Sequence, residues 1–372
     1  MKPNHSSPSG AAGGVCQRRE FLGRLAGAAG AAAASPVWAG FQADPAPPPL
    51  SGSAQAIRAF HESLTDNQKK VMCFDWDHKG PTGLPLRLHV TNNWAVSRAS
   101  VSSFTKEQQA LIEEILKSVL SPGWPEKLAQ QAKDDTGKPW TEDRKIALFG
   151  KPGGGPCQCV LSGFHLTLRA SDGPTGAAAF GGAISHGHQP SGFHEKVGHP
   201  GNIFWYQAQK AHQVYQLLDG KQRQQAVRAR GMPWYEFDGK IDRRMVLPDS
   251  KLERPLEPDV RFRGARGDFP GLSIAELTRD QRESVHKVLE ALLEPYRQEY
   301  RDQVLACLKK QGGLEKCRLA FYEEHNLGKE GEWDNWRLEG PSFIWYFRGA
   351  PHVHTWIHVA DDPAVPVTSH FG

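Results

Sequence analysis

Eight of the 16 histidines in this 372-residue chain fall in two short stretches. His165, His186, His188, His194 and His199 form one group; His352, His354 and His358 form the other. Alternate residues of a strand share a face, so His352 and His354 can present two imidazoles to one ion. His165, on the polar side of a segment in which Phe164, Leu166 and Leu168 alternate with His165, Thr167 and Arg169, is the expected third ligand. Three protein ligands leave a coordination position for water or substrate. Imidazole suits several ions, so the expected cofactor is a divalent transition metal such as Zn, Cu or Fe. The competing structural reading is a polar solvent face, or a hydrogen-bonding pair beside Trp345 and Trp356. His186-Gly187-His188 reads as a Gly-rich loop, either a lid or a plain turn, and His194, His199 and His358 as surface residues.

A metal-activated water needs a proton acceptor nearby. Glu339, just before Gly340-Pro341 and an aromatic run, is the expected catalytic carboxylate, with Asp361 and Asp362 second. Cys157 and Cys159 would point the same way along a strand and read as small buried residues. Other motifs fail on chemistry. Gly153-Gly154-Gly155-Pro156 lacks the Lys-Ser/Thr ending of a phosphate loop, Ser103-Phe104-Thr105-Lys106 coincides with a helix cap, and no Gly-x-Ser-x-Gly elbow is present.

The elements that must carry these residues are legible from caps and periodicity. Thr65, Thr105 and Thr278 each precede a Gln by three positions, the pattern of a capping box. Helices are expected over 66–73, 106–120 and 279–309 (broken near Pro295), and over 203–230 with a break at Asp219-Gly220. Strands are expected at Leu84–Val90, Phe164–Arg169, Phe343–Phe347 and Val353–Val359, and a surface loop over Met245–Pro270. Helices between a few strands, without a regular βαβ beat, predict an α+β fold: a mixed or antiparallel sheet with packed helices in a single domain over 57–372. Beyond the capping pattern, no repeat of about 20 to 50 residues emerges.

The formal charge is +4, from 45 Lys plus Arg against 41 Asp plus Glu. Residues 1–39 look like a twin-arginine export signal: Arg18-Arg19-Glu20-Phe21-Leu22, an Ala/Gly-rich run, then Val37-Trp38-Ala39 before the expected cleavage. That segment holds Lys2, Arg18, Arg19, Arg24 and Glu20, so its removal leaves +1. The positive charge therefore speaks of the export machinery, and nucleic acid is not an expected partner. The remainder is expected to be periplasmic or extracellular without a transmembrane anchor, with a Pro-rich linker over 40–56. Five cysteines survive cleavage, an odd number that leaves at least one unpaired.

Ser162-Gly163-Phe164-His165-Leu166-Thr167-Leu168, Leu217-Leu218-Asp219-Gly220-Lys221-Gln222-Arg223, Leu277-Thr278-x-x-Gln281-Arg282, Glu339-Gly340-Pro341 and Pro351-His352-Val353-His354-Thr355, in that order, resemble the domain family DUF3500. The resemblance spans nearly all of the chain after the signal. It implies no activity, and it places His165 and the His352/His354 pair in the two most recognisable segments. The expected function is a metal-dependent hydrolase or oxidoreductase acting on a small molecule or saccharide, with surrounding aromatics to hold it. The alternative is a non-catalytic periplasmic binding or interaction protein with structural histidines.

Overall fold

The computed structural model describes residues 51–369, apart from 82, 92, 174–175, 190–198, 229–235, 238–239, 242–259, 324–330 and 350–351. Its helices begin where the caps predict. α1 (Ser51–Ser63) is followed by α2 (Asp66–Met72), α3 (Lys106–Val119), α4 (Trp124–Thr136), α5 (Trp205–Leu217), α6 (Gly220–Ala226), α7 (Arg279–Leu293) and α8 (Gln298–Lys310). Thr65, Thr105 and Thr278 close complete capping boxes, and Asp219 closes a fourth. α1 starts inside the stretch read as a linker, while the export signal lies outside the described residues.

The strands are β1 (Cys73–Phe74), β2 (His89–Val90), β3 (Arg144–Gly150), β4 (Cys157–Gly163), β5 (Leu166–Asp172), β6 (Ile184–His188), β7 (Val227–Arg228), β8 (Glu236–Phe237), β9 (Lys240–Ile241), β10 (Val260–Arg261), β11 (Leu272–Ser273), β12 (Arg318–Tyr322), β13 (Asn335–Gly340), β14 (Phe343–Arg348), β15 (Val353–Val359) and β16 (Thr368–Ser369). A mixed sheet of 11 strands runs β1-β3-β4-β5-β6-β15-β14-β13-β12-β11, with β7 also on β12. β10, β16 and β2 form a small second sheet. The fold is α+β, and all described residues belong to one compact unit, 44–372. None of the described helices is long and apolar enough to cross a membrane.

The order of elements repeats. α1, α2 and β1 recur as α5, α6 and β7, each 154 positions later at its first residue. α3 and β5 recur as α7 and β14, 173 and 177 positions later. Pairing repeats with them: β1 lies parallel to β3 through Cys73↔Leu148, and β7 parallel to β12 through Val227↔Phe321, again offsets of 154 and 173. The box glutamines confirm the correspondence. Gln108 Nε2 donates to Ser63 O and meets Gln68, while Gln281 Nε2 donates to Leu217 O and meets Gln222. The chain therefore folds as two equivalent halves whose sheets join antiparallel at β6 and β15. The capping pattern read in the sequence is the visible trace of a far longer repeat.

Three expectations are corrected. Leu84–Val90 is not one strand: Pro85 cannot donate to a ladder, and Leu86–Leu88 is a 3-10 turn before the two residues of β2. His186-Gly187-His188 is no loop but buried strand β6. His358 is fully buried in β15 rather than at the surface. Of the surface loop expected over Met245–Pro270, the part before Val260 lies outside the described residues, as does His194.

The two faces of the sheet differ in chemistry. α1, α3, α5 and α7 contribute to the main apolar core with Leu148, Leu168, Phe347 and Ile357. On the other face a smaller cluster includes Leu88, Val90, Val260, Ile344, Tyr346, Trp356 and Val367. The described cysteines are all unpaired thiols. Burial raises Cys157 to about 12 and Cys159 further, which suits inert packing residues.

Candidate metal centre

His165 lies in the turn joining β4 to β5, one residue before the strand predicted to hold it. Its φ is +51°, uncommon for a residue with a side chain. Asn93 Oδ1 accepts the His165 backbone N–H at 3.0 Å and holds that turn. The preceding Gly163, at φ +154°, has no room for a Cβ against the Asp143 carbonyl. His352 precedes β15 in the hairpin from β14, where Gly349 at φ +103° packs against the His352 carbonyl. His354 is the second residue of β15, opposite Gly187 on β6 and Arg348 on β14.

Gly187 decides whether the rings can meet. β6 runs between β5 and β15, and Gly187 stands between His165 and His354 on their shared face. A Cβ there would collide with the Val353 carbonyl oxygen and press on His165 Cδ2 at 3.1 Å. Helix α4 clamps this point: Gln131 Nε2 donates to Gly187 O at 2.6 Å, and one turn later Asp135 meets His188 Nδ1 at 2.8 Å and accepts from Gln189 N. The His-Gly-His signature was visible in the sequence, and it is its glycine that leaves room for the His165 ring.

The three Nε2 atoms converge, with separations of 2.8 Å (His352–His354), 2.9 Å (His165–His352) and 3.2 Å (His165–His354). An Nε2 carries either a hydrogen or a lone pair in its single in-plane position. Without an ion, three neutral imidazoles so arranged can share at most one bifurcated hydrogen bond. Three neutral imidazole nitrogens this close together would suit a single divalent transition metal ion, held by His165, His352 and His354. The three side chains are thus a group that could hold a metal ion. Burial first, then the neighbouring His352 and Arg144 charges, hold His165 well below the usual imidazole range, so it is neutral and ready to ligate.

The other residues singled out by sequence lie apart. Glu339 is buried on β13, where its Oε1 accepts from Arg337 Nη2 at 3.0 Å and meets Arg263 Nε at 3.2 Å. It pairs with Ile344, which pairs with His358, two strands and four residues along from His354. That register separates it from the triad by on the order of 15 Å. Asp361 pairs with Lys310 at 2.5 Å and Asp362 caps Ala364, both beyond the far end of β15. His186, on the opposite face, stacks on Phe204 at 3.9 Å between Tyr296 and Gln207, and burial lowers its pKa to about 3. His199 is exposed.

Sequence reasoning missed Gly187, the α4 clamp and Arg144, a buried guanidinium lowered to about 10 by desolvation. Arg144 carried no signal, since an isolated Arg ahead of a strand reads as solvated.

No curated protein and no solved structure gives a significant match. A family model described as a protein of unknown function does match, over residues 48–361, so this chain belongs to the DUF3500 family.

Proposed function

We propose that the chain is an exported metal-dependent enzyme, a hydrolase or an oxidoreductase, acting on a small molecule or saccharide. It holds Zn, Cu or Fe through His165, His352 and His354, and it reaches the periplasm or exterior by the twin-arginine pathway. The observation that carries the reading is the convergence of three Nε2 atoms within 3.2 Å of one another. Such a set lowers the pKa of a bound water or offers open positions to oxygen. The chain's own contribution is positional: Gly187 leaves the space, α4 fixes β6, and Asn93 fixes the His165 turn.

Elemental analysis of purified protein after controlled metal loading tests it. About one equivalent is expected, falling below about 0.2 in His352→Ala. An unloaded wild type would sink the reading. One observation favours a binding protein instead: the carboxylates expected to serve as a base, Glu339, Asp361 and Asp362, are engaged elsewhere. A loaded protein that turns over no ester, glycoside or oxidisable substrate in a broad screen would favour that second reading.

A further inference from the structure

Arg337, Glu339 and His358 share the face of the sheet that carries the triad, and they surround Ile344 of β14. Glu339 pairs with Ile344 from one side and His358 from the other; Arg337 is two residues from Glu339. All three are at most 1% exposed. Residues in and beside the small sheet pack against them: Val260 and Val367 join the cluster with Ile344, and the Phe262 ring lies 6.5 Å from that of His358.

Several of their polar atoms are not matched among the described residues. Arg337 uses Nη2 on Glu339, but its Nε and Nη1 have no hydrogen-bond partner, nor has Glu339 Oε2, nor either ring nitrogen of His358. Leaving a buried donor or acceptor unpaired is costly, about 1–3 kcal/mol each and more for charged groups. Five such atoms around one residue point to something that belongs there. Positive charge is buried beside these atoms. Arg169 and Arg337 are both buried on this face, and among the described residues Arg169 donates to backbone carbonyls and to the amide oxygen of Gln158 rather than to a carboxylate.

We propose that Arg337, His358 and Glu339 form a binding site for a small oxyanion that also carries an O–H group. The Nε and Nη1 donors of the guanidinium and a ring N–H of His358 donate to the anionic oxygens, and Glu339 Oε2 accepts from the hydroxyl. Hydrogen phosphate and small hydroxycarboxylates share this chemistry. Planar, multiply donating Arg sites favour such groups over neutral ligands. The cover consists of three two-residue strands, so it opens more easily than the main sheet. Binding here does not require an ion at the histidine triad; only the idea that the bound molecule is a substrate rests on the metal reading.

The test is calorimetric titration of the EDTA-treated full chain with phosphate, glycolate, acetate and glucose. Phosphate or glycolate is expected to bind, with acetate weaker and glucose silent; the two positive arms separate the inorganic from the organic source. Arg337→Lys keeps a partner for Glu339 but loses the fork, and a loss of about tenfold or more is expected at unchanged circular dichroism. His352→Ala should bind the anion as well as wild type does. Equal binding by Arg337→Lys, equal binding of glucose, or no oxyanion binding at millimolar concentration would overturn the proposal. Should the variant not fold, wild-type crystals grown with selenate decide: an anomalous peak beside Arg337 and His358 is expected, and ordered water alone there overturns the site.

Discussion

The two halves of the chain repeat the same order and pairing of elements but treat the ends of their shared β6–β15 seam differently. At one end the β4–β5 turn offers His165 across Gly187 to His352 and His354. In the other half the corresponding turn, 177 positions later, joins β13 to β14 and offers Ser342. Gly187 corresponds to Ala360, 173 positions later by the offset of the flanking strands. The segment facing Ala360 is Ala177–Gly181, with no ligating side chain. Backbone hydrogen bonds close that end: Ala360 N donates to Ser342 O at 2.9 Å, and Asp361 N to Ala177 O at 2.7 Å. The repeat therefore supplies two equivalent strand ends, and side-chain choice gives one of them a histidine group that could hold a metal ion. A glycine at the strand and imidazoles at the rims are what separate them.

The largest test of this asymmetry uses acid. His186 corresponds to the apolar Val359 in the second half, so its protonation stresses one half alone. Its folded pKa is about 3, lowered by burial, against about 6.5 when unfolded. The unfolded chain therefore binds more protons between those values. This contribution is fully present above about pH 6.5 and is lost as pH falls toward about 3, in total on the order of 5 kcal/mol. Urea unfolding at pH 7.5 and 4.5 should show a smaller drop in His186→Gln than in wild type; identical drops would mean that His186 does not dominate the first half's response.

Next in size is the strand glycine. Gly187→Ala forces a methyl group against the Val353 carbonyl and His165, and should cost about 3 kcal/mol, as overpacking of a closed site does. The converse change, Ala360→Gly, should cost no more than about 1 kcal/mol through chain entropy. Equal losses in thermal melts would argue that the two ends are not distinguished by this residue. His354→Ala should then leave the fold nearly intact while weakening metal binding at least about 100-fold, since ligand loss exceeds the tenfold to 100-fold usual for outer partners. Competition with a chelator reads it directly.

What the sequence disclosed follows from how local each signal is. Capping boxes at Thr65, Thr105 and Thr278 depend on four consecutive residues, and each helix starts where they place it. A dense aromatic run marked β14, and alternation marked β15. The His352/His354 pair was readable because both residues lie on one hairpin, and His165 because it belongs to an alternating segment. The role of Gly187 was hidden because it depends on β6 lying between β5 and β15, a pairing of residues more than 150 positions apart. Glu339 looked catalytic from its neighbours in sequence, yet the register carries it to Arg337 and Arg263. The duplication was hidden for a related reason: burial preserves element lengths and pairings, while Thr65 and Asp219 serve the same cap with different residues.

The smallest effect is the most direct probe of the duplication itself. Thr105 and Thr278 occupy equivalent caps, and each accepts from a glutamine backbone N–H, at 3.2 and 3.3 Å. Both glutamines also reach out of their own helices, Gln108 to Ser63 O and Gln281 to Leu217 O, so each box anchors a helix pair. Thr105→Ala and Thr278→Ala should each lower stability by about 1 kcal/mol, the usual cost of losing such a cap. The sites share no partner, so the double variant should lose the sum to within about 0.5 kcal/mol. Urea midpoints of the three variants check it. A loss at one cap several times that at the other would show that the halves match in backbone but not in energetics, leaving the triad's half and its counterpart to be understood separately.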